Sequence, residues 1–146
     1  MADKTPQSFA SHAKYVPAYH FVMLPILLVH LLWKLWGLVT GFGIGAAVDA
    51  AVAFALMIMA VLVRTSPLTA QDRVIRLEET LRMQRLLPED LVARIGELRR
   101  GHFVALRFAS DDELPELVRR VLDGELKGGK DIKQAIRTWR PDHLRV

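Results

Sequence analysis

The chain of 146 residues contains no cysteine. This absence excludes disulfides, thiolate metal sites, cysteine nucleophiles and lipid anchors on cysteine, so redox chemistry would need a bound cofactor. Nothing in the sequence points to such a cofactor, and we predict none. Hydrolase elbows, paired zinc-protease histidines and kinase signatures are missing as well. We therefore predict that the protein is not an enzyme and has neither catalytic residues nor a metal site.

A long run of charges of one sign is also absent. The formal net charge is +4 and the pI is near 9.8, yet the basic residues after Arg64 are interleaved with acids such as Glu78, Glu79 and Asp111. Such mixing is typical of ordinary solvated helix faces rather than of a nucleic-acid patch. We predict no nucleic-acid partner and identify no small-molecule substrate, and anionic lipid headgroups are the more natural counter-charge.

What the chain does have is a nearly continuous apolar run from Phe21 to Val63, broken by glycines at positions 41, 43 and 45. Each half is about 20 residues long, enough to cross a hydrocarbon core of about 30 Å. Helices are the expected structure because backbone groups must be satisfied internally in lipid. The run therefore predicts a transmembrane helical hairpin with the lipid bilayer as its partner.

Charge placement predicts the orientation of this hairpin. Lysine and arginine are concentrated after Arg64 and occur at Lys4 and Lys14, whereas the turn between the spans carries none. The positive-inside rule then places both termini in the cytoplasm. We predict an N-terminal polar or interfacial segment over 1–18, the hairpin over 19–65 and a cytoplasmic helical domain over 66–146.

The sequence of the predicted cytoplasmic part, residues 66–146, predicts several short helices. The predicted fold class is therefore all-α. Thr69 and Asp72 resemble a capping box that starts a helix with Val74, Leu77 and Leu81 on its apolar stripe. A second helix is expected from Pro88 to Gly101, followed by a short apolar segment from Phe103 to Phe108. A third helix should start with a capping box at Ser110 and Glu113 and stop at Gly124, and a fourth should run from about Asp131 to Trp139.

Four segments resemble a bacterial family of small membrane proteins of unknown function. They are His12 to Pro25, Gln71 to Leu81, Leu106 to Leu117 and Ile132 to Val146, and together they span nearly the whole chain. The resemblance implies two membrane helices, a cytoplasmic helical tail and a bacterial source, hence the bacterial inner membrane. It implies no catalytic or binding residues.

Ionisable residues inside the predicted spans are the clearest exceptions to the apolar pattern. Lys34 and Asp49 are equally far from the predicted apex of the hairpin, so they should lie at similar depth. They would act either as a structural staple or as two groups reaching headgroups and water separately. With His30, one helical turn before Lys34, they would alternatively form a functional intramembrane polar cluster.

Small residues form a second pattern, at Gly45, Ala47, Ala51 and Ala55. Small residues four apart are typical of faces where membrane helices approach closely. We predict that this packing face serves partly within the hairpin and partly in a homo-oligomer or a larger membrane-protein complex.

The leading hypothesis is an integral membrane scaffold or accessory subunit that oligomerises through its hairpin and docks partners through its cytoplasmic tail. Exposed apolar surface around Phe103, Phe108, Trp139 and Leu144 would supply the docking site, because short helices of this size bury little alone. The alternative is an oligomeric ion channel or small transporter with its path past His30, Lys34 and Asp49.

Overall fold

The computed structural model describes Phe9 and residues 15–142, and every regular element among them is helical. The predicted all-α class is confirmed for this part of the chain; the predictions at Lys4, Lys14 and Leu144 lie outside it. A π-helical segment, Ala18–Met23, leads into α1 (Leu24–Thr40). There follow α2 (Ile44–Leu86), α3 (Glu89–Val92), a 3-10 turn (Ile95–Glu97), α4 (Arg100–Leu106), α5 (Leu114–Leu122) and α6 (Gly129–Ala135).

The described residues divide into two compact units. The hairpin unit comprises residues 15–68, and the helical domain comprises residues 69–142 together with Phe9. The long helix α2 contributes to both, with residues 44–68 in the hairpin unit and residues 69–86 in the helical domain.

The hairpin unit contains two helical segments that are long and apolar enough to cross a membrane, Ala18–Thr40 and Ile44–Leu86. None of the most apolar stretch of the first is buried within the chain. The turn between them occupies residues 41–43, and α2 begins at Ile44 as predicted. Large apolar side chains such as Trp33, Val39 and Phe42 are consequently exposed.

Two hydrogen bonds between the segments define the hairpin. Near the turn, Lys34 Nζ donates to Asp49 Oδ2 over 2.7 Å, and far from it Tyr19 Oη donates to the Ala60 carbonyl over 3.1 Å. These contacts require antiparallel helices. Alanines line the buried side of α2, at Ala50, Ala53 and Ala60, so their small side chains allow the close approach.

The helix that carries the second span runs past the predicted hairpin boundary at residue 65. Pro67 lies inside α2, which continues without interruption to Leu86. A proline lacks the backbone N–H, so the helix loses one hydrogen bond there. A long helix tolerates this loss where the neighbouring turns keep their hydrogen bonds. Thr65 Oγ1 adds a bond here by donating to the Val61 carbonyl over 3.0 Å. For the same reason no helix starts at the predicted Thr69–Asp72 capping box.

The apolar stripe expected on this part of α2 is not the buried one. Val74, Leu77 and Leu81 are all exposed, whereas the opposite face carries the buried Ile75 and Met83. That buried face also holds Glu79 and Arg82. Periodicity ranks faces by hydrophobicity alone, so it cannot identify a face that is buried with a compensated ion pair.

The helix predicted from Pro88 to Gly101 is broken into α3, the 3-10 turn and the start of α4. Leu98 and Arg99 are both extended, with ψ of 132° and 157°, and they separate the turn from α4. The extended backbone allows Leu98 to be buried in the core. Gly101, expected as a stop, lies inside α4.

The last two helices are shorter than predicted. α5 starts at Leu114 rather than at Ser110 and stops before Gly124, whose φ of +79° confirms the predicted terminator. α6 ends at Ala135 because the chain then pairs with the segment after α4. Ser110 N donates to the Thr138 carbonyl over 3.1 Å, Arg140 N donates to the Phe108 carbonyl over 2.7 Å, and Ala109 and Trp139 form an antiparallel bridge.

The helical domain builds its own apolar core. Phe103 and Phe108 are buried within it, and Trp139 is partly buried with its ring centroid 5.1 Å from that of Phe108. The expectation that these residues form an exposed docking surface is therefore wrong for the two phenylalanines, because they are the largest buried side chains of this core. Its other fully buried large residues are Met83, Leu91, Leu106, Leu114, Val118 and Ile132.

Candidate functional site

The Lys34–Asp49 pair is an ion pair within the hairpin unit. Lys34 lies in the second half of α1 and Asp49 in the second turn of α2. Their side chains are partly exposed, at 31% and 57%, and the charged atoms are 2.7 Å apart. The structure thus brings two of the three predicted cluster residues into direct contact near the turn between the helices.

His30 is the third predicted cluster residue, and it is exposed. Within the described residues no hydrogen bond connects it to Lys34 or Asp49. It lines a shallow groove along α1 with Pro25, Ile26, Val29 and Trp33, whose surface is mostly apolar. The ion pair of Lys34 and Asp49 therefore forms without a hydrogen bond from His30.

The predicted packing face of α2 is only partly used inside the hairpin. Ala47 is half-buried, whereas Gly45, Ala51 and Ala55 are exposed. The alanines buried in the hairpin, at positions 50, 53 and 60, form the neighbouring stripe. The rest of the predicted face stays exposed in the hairpin unit.

A cleft of about 770 Å³ lies in the helical domain. Its charged lining consists of four arginines and four acids: Arg82, Arg85, Arg107, Arg140, Glu78, Glu79, Asp111 and Asp142. The remaining lining comes from Ile75, Leu81, Leu86 and Pro141. Equal numbers of basic and acidic groups make this cleft balanced in charge.

Arg82 is the centre of the cleft and is almost completely buried. Its Nη1 donates to Glu79 Oε2 over 2.9 Å, its Nε donates to Asp111 Oδ1 over 2.8 Å, and its Nη2 donates to the Ala109 carbonyl over 2.7 Å. A guanidinium presents five N–H donors in a fixed planar fork. Arg82 uses this fork to attach α2 to the segment that follows α4.

The other buried charges of the cleft are compensated as well. Glu79 also accepts a hydrogen bond from Arg140 Nη1 over 3.4 Å, and Arg107 Nε lies 3.2 Å from Asp142 Oδ2. The Arg107 guanidinium lies over the Phe108 ring, 4.6 Å from its centroid. The network is thus suited to clamping the C-terminal segment against α2, since its charges neutralise one another.

Comparison with protein families gives a single result. This chain belongs to the family of unknown function DUF6526. The family model covers residues 1–146, the whole chain. The resemblance to an uncharacterised family is thereby confirmed. None of the curated proteins and none of the solved structures compared with the chain matches it.

The part of the DUF6526 chain that the structure describes contains no group of three or more histidine or acidic residues arranged to hold a metal ion. Among the neighbouring acids, Asp111 binds Arg82, whereas Glu113 accepts from backbone donors. The Glu113 carboxylate accepts from the amides of Ser110, Arg137 and Thr138 over 3.1–3.3 Å.

Sequence reasoning missed the roles of Glu79, Arg82 and the cleft in this DUF6526 protein. The spacing of Glu79 and Arg82, one helical turn apart, was the available signal. That spacing usually marks a solvated pair, and only the packing of α2 against the segment after α4 buries it. The capping-box spacing of Ser110 and Glu113 predicts the first contact of Glu113. It does not predict the hydrogen bonds that Glu113 accepts from the amides of residues 137 and 138.

Proposed function

We propose that this protein is a membrane-anchored scaffold of the bacterial inner membrane, in which the hairpin is the anchor and the helical domain faces the cytoplasm. One observation carries the proposal: the hairpin unit exposes many more of its large apolar side chains than the helical domain does. Trp33, Val39 and Phe42 are 72%, 80% and 86% exposed in the hairpin unit, whereas Phe103 and Phe108 are fully enclosed in the helical domain. Lipid is the natural environment of the first pattern and water that of the second.

A scaffold role fits what the helical domain contains. Its core is complete, so it does not require a partner in order to fold around its phenylalanines. Its cleft is balanced in charge and clamps the domain's own segments. These features favour a rigid module that presents its surface to another protein.

The absence of native cysteine allows a clean topology test. We would place one cysteine at the hairpin tip, Phe42→Cys, or on the domain surface, Lys127→Cys, and label intact bacterial spheroplasts with a membrane-impermeant maleimide. The proposal expects labelling of Phe42→Cys in intact spheroplasts and of Lys127→Cys only after lysis. Equal labelling of both positions without lysis, or release of the protein by alkaline carbonate, would overturn the membrane anchor.

A second candidate function, an oligomeric ion channel or small transporter, is favoured by the Lys34–Asp49 pair inside the apolar segments. Asp49→Asn distinguishes the two candidates. As a staple, the pair contributes about 1 kcal/mol to helix association, so the variant weakens assembly and leaves ion flux into proteoliposomes unchanged. A channel requires a changed flux with assembly intact, and Thr40→Ala, close to the turn but uncharged, is the matched control.

A further inference from the structure

The helical domain leaves one apolar helix face uncovered. This face, the α2 stripe, consists of Ala70, Val74, Leu77 and Leu81. The three larger residues are 53%, 63% and 52% exposed, and Ala70 is exposed too. The opposite side of α2 packs on the core through Ile75 and Met83. More than half of each of the three larger side chains is thus left uncovered by its own domain.

The spacing of the α2 stripe is that of a coiled-coil seam. Its members follow one another at intervals of four, three and four residues. Apolar residues alternating between three and four apart stay on one side of a helix that pairs with a second helix at a shallow angle. The stripe therefore fits another helix lying along α2.

Charges beside the stripe specify which helix fits. Arg73 borders the stripe on one side and Glu78 borders it on the other, five residues later. In a parallel, in-register pair of coiled-coil helices, residues with this spacing meet across the seam. Two copies of α2 would therefore form two identical Arg73–Glu78 ion pairs. Within the described residues neither side chain takes part in a salt bridge or hydrogen bond of its own domain.

The anchor supplies the parallel orientation. Copies inserted in one membrane with the same topology carry the membrane-spanning part of α2 in the same direction, and residues 69–86 continue that helix. The stripe is short, and four seam positions would not hold two free chains together. Confinement to a membrane raises the effective concentration of the second copy and makes a short seam sufficient.

We propose that the α2 stripe is the interface with a second copy of this chain, joined as a parallel, in-register helix pair and flanked by reciprocal Arg73–Glu78 ion pairs. The proposal rests on the membrane anchoring proposed above for its orientation. It makes the protein a dimeric scaffold with a defined seam in its water-facing part.

Disulfide trapping in native membranes tests the seam. Leu77→Cys lies on the stripe, and Leu86→Cys is a matched leucine on the opposite side of the same helix. Disulfides need Cα atoms within about 7 Å. After mild oxidation we expect most of Leu77→Cys to migrate at twice the 16.5 kDa chain mass and most of Leu86→Cys to remain monomeric. Equal yields from the two variants would overturn the interface.

A charge exchange tests the identity of the partner. In the Leu77→Cys background, Arg73→Glu places like charges at both ion-pair positions and should lower the trapped fraction by roughly fivefold. Combining Arg73→Glu with Glu78→Arg restores opposite charges, and the trapped fraction should return. Failure of Arg73→Glu to lower the yield, or of the exchange to restore it, would contradict the reciprocal pairs.

Accessibility of Leu77→Cys to the impermeant maleimide in lysed membranes separates the remaining outcomes. A monomeric variant that is labelled freely shows that the stripe faces water, and a monomeric variant that is protected shows that another molecule covers it. Both results overturn the proposal. If the membrane anchor is wrong, the labelling of Phe42→Cys shows this separately. Disulfide trapping of Leu77→Cys that still responds to the charge exchange would then continue to support the interface.

Discussion

Arg82 and Glu79 lie one turn apart on α2, their charged atoms are 2.9 Å apart, and both side chains are more than nine-tenths buried. Removing two charges from water is costly, and their attraction compensates for this only with good geometry and further hydrogen bonds. Arg82 has those bonds, to Asp111 and to the Ala109 carbonyl. The pair is thus a buried attachment point between α2 and the segment after α4.

Arg82→Met is expected to destabilise the helical domain by about 3 kcal/mol, because it leaves the Glu79 carboxylate buried without its main partner. The double variant Arg82→Met with Glu79→Met should recover part of the loss, since no buried charge then remains. Urea unfolding of the detergent-solubilised chain, followed by Trp139 fluorescence after Trp33→Phe and Trp36→Phe, measures both. A double variant less stable than Arg82→Met would contradict this account.

Glu113 holds the end of the domain in place through three backbone amides. Glu113→Ala leaves the amides of Arg137 and Thr138 without their acceptor, so we expect a loss of about 1–3 kcal/mol. The segment after Ile136 should be affected most. Limited proteolysis is expected to cut there faster than in the unsubstituted chain, with the fragment masses read by mass spectrometry.

The matched control for Glu113 is its neighbour Asp112, which is exposed. Asp112→Ala changes a similar charge at the start of the same helix, where the helix dipole favours either acid. It should leave the proteolysis rate after Ile136 unchanged. Equal acceleration by both variants would show that negative charge, rather than the three hydrogen bonds, protects this segment.

The hairpin was the most predictable part of the fold. Hydropathy and the glycine-rich turn locate the break before α2, and simple reflection about the turn predicts similar depth for Lys34 and Asp49, which the structure has in contact. Both depend on local sequence, which is why they could be read directly. Gly124 was predictable for the same reason, because its positive φ is a property of a single residue.

The helical domain was less predictable because its decisive contacts join distant residues. Val74, Leu77 and Leu81 have the stronger apolar periodicity, yet the face with Glu79 and Arg82 is buried, since Asp111 and Ala109 supply partners from another segment. The sequence predicts Phe103 and Phe108 at the surface because short helices of this size bury little alone. Only the packing of α4 with α5 and α6 encloses them.

Because Phe103 is buried and Leu77 is exposed, their alanine variants should differ in the free energy of unfolding. Phe103→Ala should cost about 3–5 kcal/mol through lost transfer energy and the cavity left behind. Leu77→Ala, on the exposed stripe, should change the unfolding free energy of a detergent-dispersed monomer by no more than about 0.5 kcal/mol. The same urea titration measures both, and a Phe103→Ala domain as stable as the unsubstituted one would contradict the observed core.

Arg94 and Glu97 connect the 3-10 turn to the end of α5. Arg94 donates to Glu97 over 3.0 and 3.1 Å, donates to the Leu122 carbonyl over 3.3 Å and lies 3.6 Å from Asp123. The pKa of Glu97 is lowered, mainly by the hydrogen bond that Arg94 donates and further by the positive charge of Arg94. The same bond raises the pKa of Arg94.

This shift makes the contribution of Glu97 to stability depend on pH. Because its pKa is lower in the folded chain, the unfolded chain binds more protons around the ordinary value of 4.5, so stability rises with pH there. The contribution is present above that value and is lost as the pH falls through the folded pKa. Glu97→Gln should therefore lower the urea midpoint slightly near neutrality and have a smaller effect in acid. Glu116→Gln, on exposed α5 surface, is the control, and a Glu97→Gln effect that stays constant across this range would exclude the ion pair as its cause.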